Sequence, residues 1–227
     1  MSDEWAPEKI ATLATEIDAQ IQALPVRNSP NVRSVRREYS KRLRNAPRDF
    51  VLALTMALVH THGYRGTAYE LLAYHKPTFN SLTVADIEAL GEGIDRWHSV
   101  DGFARLVSGP AWFKGLISDD VIHRWARSDD LWWRRAALVS TVALNMRSHG
   151  GYGDVDRTLA VCRMLVDDHE DLVVKALSWA LRQLVVHDPD AVLGFLSRYE
   201  ERLAARIKRE VRNKLETGLK NPRRSIQ

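Results

Sequence analysis

Two stretches of the sequence share one pattern: WARSDDLWWRRAAL at residues 125–138 and VDDHEDLVVKALSW at residues 166–179. Each has a polar, acid-rich turn, then a leucine, two large apolar residues, a base and small residues. Leu131 and Leu172 occupy equivalent places in the two stretches. The pattern therefore predicts a helix pair that recurs along the chain.

Apolar residues recur at spacings of three and four along nearly the whole chain, as in Ile10, Leu13, Ile17 and Ile21. This period is typical of amphipathic helices, and strand-like alternation is scarce. The separation of Leu131 from Leu172 fits a helix pair of about 40 residues, which is the repeat length of HEAT and armadillo proteins. We therefore predict an all-α fold, a superhelical solenoid of HEAT-like antiparallel helix pairs; an irregular all-α domain is the alternative. The predicted helices cover residues 7–24, 31–44, 47–63, 66–75, 83–90, 100–107, 119–127, 130–146, 154–166, 172–186, 190–199 and 203–219.

The length of 227 residues and the hydrophobic content of 45% suit one folded domain. We predict a single HEAT-like repeat domain over residues 1–227, with a short basic tail from about residue 220. Cys162 is the single cysteine, which excludes an intramolecular disulfide and a cysteine-rich zinc site. The start, MSDEWAPEK, lacks the basic and apolar regions of a secretory signal, and no stretch reaches 18 apolar residues. We therefore expect no contact with a membrane.

Basic residues concentrate in two segments, although the net charge of the chain is only +4. Residues 27–48 contain eight bases and one acid, and residues 198–224 contain ten bases and four acids. Basic side chains that neutralise phosphates supply most of the sequence-independent affinity for DNA. We expect the two segments to hold the two backbones of a duplex; solvated helix faces are the alternative. The bases selected from these segments are Arg33, Arg37, Lys41, Arg44, Lys208 and Arg212.

Four residues have the spacing and chemistry of a DNA-processing site. Trp97 and Asp101 share a helix face. Arg135 and then Trp179 follow Trp97 at successive intervals of roughly 40 residues. Because these intervals approach one repeat, the four side chains would meet on the concave surface of a solenoid. Indoles pack on sugars or bases, a guanidinium binds phosphate, and a carboxylate stabilises a cationic sugar. The alternative is two core tryptophans and a structural Asp101–Arg135 ion pair.

Three motifs around these residues resemble the AlkD-like family of bacterial DNA alkylation repair glycosylases, which are HEAT-like repeat proteins. They are W-x-x-V-D at Trp97–Asp101, W-x-x-R-A-A at Trp132–Ala137 and K-A-x-x-W-x-L-R at Lys175–Arg182. They occur in the family's order and with similar spacing, and the likeness extends over roughly residues 32–214.

The resemblance implies a monofunctional glycosylase that removes cationic N3- or N7-alkylated purines from double-stranded DNA and leaves the damaged base in the stack. The single cysteine suits a reducing compartment, so we also expect a cytoplasmic bacterial monomer that joins the nucleoid when it engages DNA. A catalytically silent HEAT-like protein that binds damaged or branched DNA, and a protein-binding scaffold, are the alternatives. The implied catalytic residues are Asp101, Trp97, Trp179 and Arg135, and the bases of the third motif, Lys175 and Arg182, are expected to contact DNA.

No metal site and no organic cofactor are predicted. His60 and His62 are two residues apart, so on a helix they point away from each other, and no cysteine or acid lies nearby in the sequence. Cys162 lies in the apolar run LAVCRML and is expected to be a buried hydrophobe. The sequence also lacks a glycine-rich phosphate-binding loop.

Overall fold

The computed structural model describes residues 5–222, and over these residues the chain forms helices and no β-strand. The predicted all-α fold class is confirmed. None of the helices within residues 5–222 has the length and apolar composition that a membrane span requires. The α-helices are α1 (Lys9–Gln22), α2 (Ser29–Arg42), α3 (Arg48–His60), α4 (Arg65–Tyr74), α5 (Lys76–Phe79), α6 (Val84–Gly91), α7 (Trp97–Phe103), α8 (Gly109–Phe113), α9 (Asp119–Ala126), α10 (Leu131–Asn145), α11 (Val155–Met164), α12 (Asp171–Leu184), α13 (Pro189–Arg198) and α14 (Ala205–Thr217).

The chain divides into two compact units, Met1–Ile94 and Asp95–Gln227. The single repeat domain and its superhelical arrangement stay predictions. Of the basic tail expected from about residue 220, everything after residue 222 lies outside the described residues.

The first unit is built from α1 to α6. Helix α3 packs against α1 and α4, and α2 packs against α4. The apolar stripe predicted on α1 is buried at Leu13, Ile17 and Ile21. Helix α2 begins two residues earlier than predicted, because the side chain of Asn28 caps it by accepting a hydrogen bond from the Asn31 N–H.

The second unit contains α7 to α14. Helix α12 packs between α10 and α14, while α11 contacts both α10 and α12. Helices α10, α12 and α14 therefore pack side by side in chain order, with α12 in the middle. This is the packing expected of successive helix pairs. Trp133, in the first turn of α10, contacts the rings of Trp125 and Phe103 at centroid distances of 4.8 and 6.0 Å. This aromatic cluster joins α7, α9 and α10.

A π-helical segment, Ala104–Ser108, joins α7 to α8, so the helical stretch is longer than the predicted 100–107. Its end packs closely on α10, where the hydroxyls of Ser108 and Ser140 lie 2.7 Å apart. Gly109 makes this approach possible. A Cβ there would lie 2.6 Å from the Ala143 Cβ and 2.7 Å from the Ala104 carbonyl oxygen.

The first prediction tests this close contact. Gly109→Ala should lower the free energy of unfolding by about 1–3 kcal/mol, because the added methyl group overpacks the boundary with α10. Gly194→Ala is the matched control, since Gly194 lies inside α13 and a methyl group added there would meet no atom within 4 Å. This change should stabilise the protein by about 0.5–1 kcal/mol through helix propensity. Urea denaturation measures both, and the same sign for the two variants would contradict the packing described here.

Candidate active site

A pocket of about 460 Å³ lies in the second unit, and three helices and one C-terminal segment contribute to it. All four residues predicted to be catalytic line this pocket, together with both bases of the third motif. The lining residues are Trp97 and Asp101 from α7, Arg135 from α10, Leu172, Lys175, Trp179 and Arg182 from α12, and Lys220 after α14.

The helical period places these side chains on one face of each helix. On α12, Lys175, Trp179 and Arg182 follow one another at spacings of four and three, so they lie on the same side. Leu177 and Leu181 lie on the other side of the helix and are fully buried. The sequence therefore directs the apolar side of α12 into the core and its bases and indole towards the pocket.

Asp101 and Arg135, which both line the pocket, form a bidentate ion pair. The Nε and Nη2 atoms of Arg135 donate to the two carboxylate oxygens of Asp101, each at 2.9 Å. Its Nη1 atom donates to the backbone carbonyl oxygen of Leu172. The Arg135 side chain is only 6% exposed, against 15% for Asp101. The guanidinium thus lies behind the carboxylate.

This geometry differs from the direct phosphate contact expected of Arg135. Three of its N–H donors already have acceptors, and its side chain is nearly inaccessible. The guanidinium instead fixes the orientation of Asp101 and links α7, α10 and α12.

The two tryptophans of the pocket are accessible. Trp97 is 58% exposed, and Trp179 is partly buried. Trp112, in contrast, is fully buried, and its indole N–H donates to Asp119 at 2.8 Å. Neither pocket tryptophan is a fully buried core residue, so the alternative of two core tryptophans does not hold.

Four cations and one carboxylate line the pocket, which favours an anionic ligand. Lys175 pairs with Asp171 at 2.5 Å, and this hydrogen bond is the main reason why the pKa of Asp171 is below its usual value. Burial lowers the pKa of Arg182, while the negative charge of Glu210 opposes that shift. A second acid, Glu210, therefore lies just behind the lining residues.

The first basic segment keeps several exposed cations on α2 and the turn after it. Arg37, Lys41 and Arg44 are exposed, and within residues 5–222 no carboxylate forms a salt bridge with them. Arg33 is also exposed but pairs with Glu70 at 3.0 Å. Arg36 departs from the expected basic surface. It is buried, bonds to the same Glu70, and stacks over the Tyr74 ring at 4.2 Å.

The second basic segment is more strongly neutralised. Lys208 donates to the backbone oxygen of Glu200 at 2.9 Å, and Arg212 pairs with the Glu200 carboxylate at 2.6 Å. The hydrogen bond from Arg212 is the main cause of the lowered pKa of Glu200. Neither base lines the pocket. Arg223 and Arg224, counted in this segment, lie outside the described residues.

Sequence reasoning missed the part that Lys220 and Glu210 play near the pocket. In the sequence, Lys220 is only one base of the second segment. Its placement depends on a chain reversal at Gly218, the residue that ends α14 in the left-handed conformation. A glycine after a basic helix end is a known stop signal, and it is the clue that the sequence offers.

The histidine pair and the cysteine have separate structural contacts. His60 bonds to the Ala89 carbonyl oxygen at 3.0 Å, and His62 lies 3.7 Å from Asp18. Over residues 5–222, no three His, Cys, Asp or Glu side chains converge as metal ligands would. Cys162 is buried as expected, and burial raises the pKa of its thiol.

A family model described as "DNA alkylation repair enzyme" matches residues 3–215. The chain belongs to the DNA alkylation repair enzyme family. No curated protein matches the chain. The matched range includes the pocket residues from α7, α10 and α12 but ends before Lys220. The family confirms the predicted resemblance and supports a role in the repair of alkylated DNA.

The second prediction concerns two tryptophans of the second unit. Trp97→Ala should change the free energy of unfolding by about 0.5 kcal/mol or less, because the side chain is exposed. Trp112→Ala, the matched control in the same unit, should cost about 3–5 kcal/mol through loss of a buried indole. Urea denaturation of both variants checks this. If Trp97→Ala lowered the free energy of unfolding as much as Trp112→Ala, Trp97 would be a structural residue.

Proposed function

We propose that this chain is a monofunctional DNA glycosylase that hydrolyses the N-glycosidic bond of cationic N3- or N7-alkylated purines in duplex DNA. The reaction uses no metal and leaves the damaged base in the stack. The observation that carries the proposal is the Asp101 carboxylate, which Arg135 holds beside Trp97 and Trp179 in a cation-rich pocket. Membership of the DNA alkylation repair enzyme family supports DNA as the substrate.

The proposed chemistry depends on the positive charge of the lesion. When the bond between C1′ and the purine nitrogen breaks, its electron pair moves into the ring, and the base leaves as a neutral molecule. The sugar becomes an oxocarbenium-like cation, to which a water oxygen adds at C1′ while the water's proton passes to the solvent. Because the leaving group is already activated, the enzyme has to stabilise mainly the sugar cation.

Asp101 is suited to that task. Both Asp101 and Arg135 line the pocket, but the side chain of Asp101 is the more exposed of the two, so it is the more accessible charge for a cation there. The two hydrogen bonds from Arg135 fix the carboxylate before the reaction begins, which removes the cost of orienting it in the transition state. The same carboxylate can also position the attacking water.

The indoles complete the sugar site. The exposed face of Trp97 offers a flat surface for deoxyribose, and aromatic faces attract positive charge. Packing on the sugar edge leaves the lesion within the duplex, in contrast to glycosylases that draw a base into an enclosed pocket.

Binding to the duplex would come from cations that line the pocket or lie on the surface. Lys175 and Arg182 line the pocket, while Arg37, Lys41 and Arg44 form a separate basic surface on the first unit. The carboxylates that pair with Arg33, Lys208 and Arg212 reduce the contribution of those three bases. The proposal includes the cytoplasmic, nucleoid-associated monomer, which stays a prediction.

A catalytically silent protein that binds damaged or branched DNA is the second candidate. The observation that favours it is the bidentate ion pair itself, because a carboxylate held by a buried guanidinium is also a common structural arrangement. The two candidates differ in whether Asp101 does more than hold three helices together.

The third prediction separates these candidates. Asp101→Asn keeps the size of the side chain but removes its charge, so excision should fall at least about tenfold as transition-state stabilisation is lost. Binding to the same duplex should stay equal or tighten slightly, because a carboxylate repels phosphates. The measurement is single-turnover release of N7-methylguanine, with affinity for the duplex measured alongside.

Asp95→Asn is the control, since Asp95 is a highly exposed acid on the same unit outside the pocket. It should excise at the wild-type rate. If Asp101→Asn released the base at the wild-type rate, this carboxylate would have no catalytic role. If the wild-type protein itself released no base, the result would favour the silent DNA-binding protein.

The fourth prediction concerns the basic surface of α2. Replacing Arg37 and Lys41 with Ala should weaken binding to any duplex and reduce the slope of log affinity against log salt by about two, one for each lost phosphate contact. Arg33→Ala should reduce the slope less, because Glu70 already neutralises that base. Fluorescence anisotropy across a salt series measures these slopes. An unchanged slope for the double variant would show that Arg37 and Lys41 are solvated and do not contact DNA phosphates.

A further inference from the structure

The segment after α14 folds back along that helix. Gly218 has a φ of +73°, which lets the chain reverse, and its N–H donates to the Lys214 carbonyl oxygen at 3.0 Å. The Lys214 side chain donates to the Gly218 oxygen at 2.7 Å, and the Asn213 amide donates to the Lys220 oxygen at 3.0 Å. We refer to residues 218–222 as the C-terminal turn. These hydrogen bonds with α14 fix the backbone that carries Lys220.

Lys220 reaches the pocket from this turn. Its side chain lines the pocket, is 44% exposed, and has its Nζ atom 3.5 Å from the Oε1 atom of Glu210. It lies beyond residue 215, where the match to the family model ends. The turn thus adds a cation that the matched region does not supply.

Glu210 is the buried partner of this cation. Its side chain is only 5% exposed, and its Oε2 atom accepts a hydrogen bond from the hydroxyl of Ser178 at 2.7 Å. The Nε atom of Arg182 lies 3.8 Å from the same oxygen and donates to the Ser178 oxygen at 3.2 Å. One buried carboxylate therefore holds two cations, and both cations face the pocket.

The arrangement leaves donors for a ligand. Arg182 uses Nε within the cluster, and over residues 5–222 its two terminal nitrogens have no acceptor at hydrogen-bond distance. With one acid and two bases, the cluster keeps a net positive charge. A guanidinium with free terminal donors next to an ammonium is the donor set that binds phosphate oxygens.

We propose that Arg182, Lys220 and Glu210 form a phosphate-binding subsite of the pocket, in which Lys220 binds a phosphodiester of the DNA backbone. Glu210 is a positioning residue that keeps Lys220 and Arg182 directed into the pocket. The subsite is separate from the Asp101–Arg135 pair. The identity of the phosphate as DNA rests on the proposed function, and the binding itself does not require base excision.

Lys220→Ala on the full chain tests the subsite with an undamaged duplex. Affinity should fall several-fold, and the slope of log affinity against log salt should decrease by about one. Arg163→Ala is the matched control, since it removes an exposed base from α11 that lies outside both basic segments and does not line the pocket. Its slope should stay at the wild-type value. A Lys220→Ala slope equal to that of the wild type or of Arg163→Ala would overturn the subsite.

Glu210→Gln distinguishes positioning from simple neutralisation. It makes the chain more positive by one charge, so a carboxylate that only neutralised its neighbours would give a variant that binds DNA more tightly. A positioning role predicts weaker binding despite the added charge, and tighter binding would overturn that role. Thermal melting verifies that the variant is folded, and Lys220→Ala remains decisive if it is not. Affinity is measured on undamaged DNA, so this test does not depend on base excision. A wild-type protein that released no base would refute the proposed glycosylase activity, and the binding test of the subsite would still be valid.

Discussion

The ion pair between Asp101 and Arg135 is the interaction on which the pocket depends. It joins α7 to α10, and the remaining bond from Arg135 to the Leu172 carbonyl oxygen brings in α12. A nearly buried guanidinium carries a large desolvation cost, which is offset only when its donors find acceptors of good geometry. The carboxylate and the carbonyl satisfy this condition together, so the orientation of Asp101 and the packing of the three helices are set by the same contacts.

The pocket combines a fixed negative group with surrounding positive ones. The cations of α12 and of the C-terminal turn attract a polyanion, whereas Asp101 acts against a phosphate and in favour of a cationic sugar. Each cation that lines the pocket lies close to a carboxylate, such as Asp171 beside Lys175 or Glu210 beside Lys220. The site therefore has a positive field without a large excess of unpaired charge, which limits the electrostatic cost of folding.

The fold class could be predicted from helical periodicity, and six of the eight pocket residues could be predicted from their spacing and from the three family-like motifs. A repeat of about 40 residues places equivalent positions on one surface, and Trp97, Arg135 and Trp179 line one pocket of the second unit. The partners of charged side chains could not be predicted, because they depend on distances between helices. The pairing of Arg212 with Glu200 and the burial of Arg36 under Tyr74 are of this kind. The position of Lys220 also depends on a turn of a few residues, whose course no periodicity describes.

The π-helical segment between α7 and α8 has a consequence for the angle at which the pocket residues project. A π turn holds one residue more than an α turn, and each extra residue rotates the later part of the helix by about 100° around its axis. Trp97 and Asp101 precede the segment and face the pocket, whereas Ala111 and Trp112 come after it and are fully buried. The segment therefore shifts the register of the stretch before it reaches the core contacts of Ala111 and Trp112. The pocket-facing positions of α7 and those core contacts belong to two helical registers, so loss of one residue from the segment would rotate one set of side chains relative to the other by about 100°.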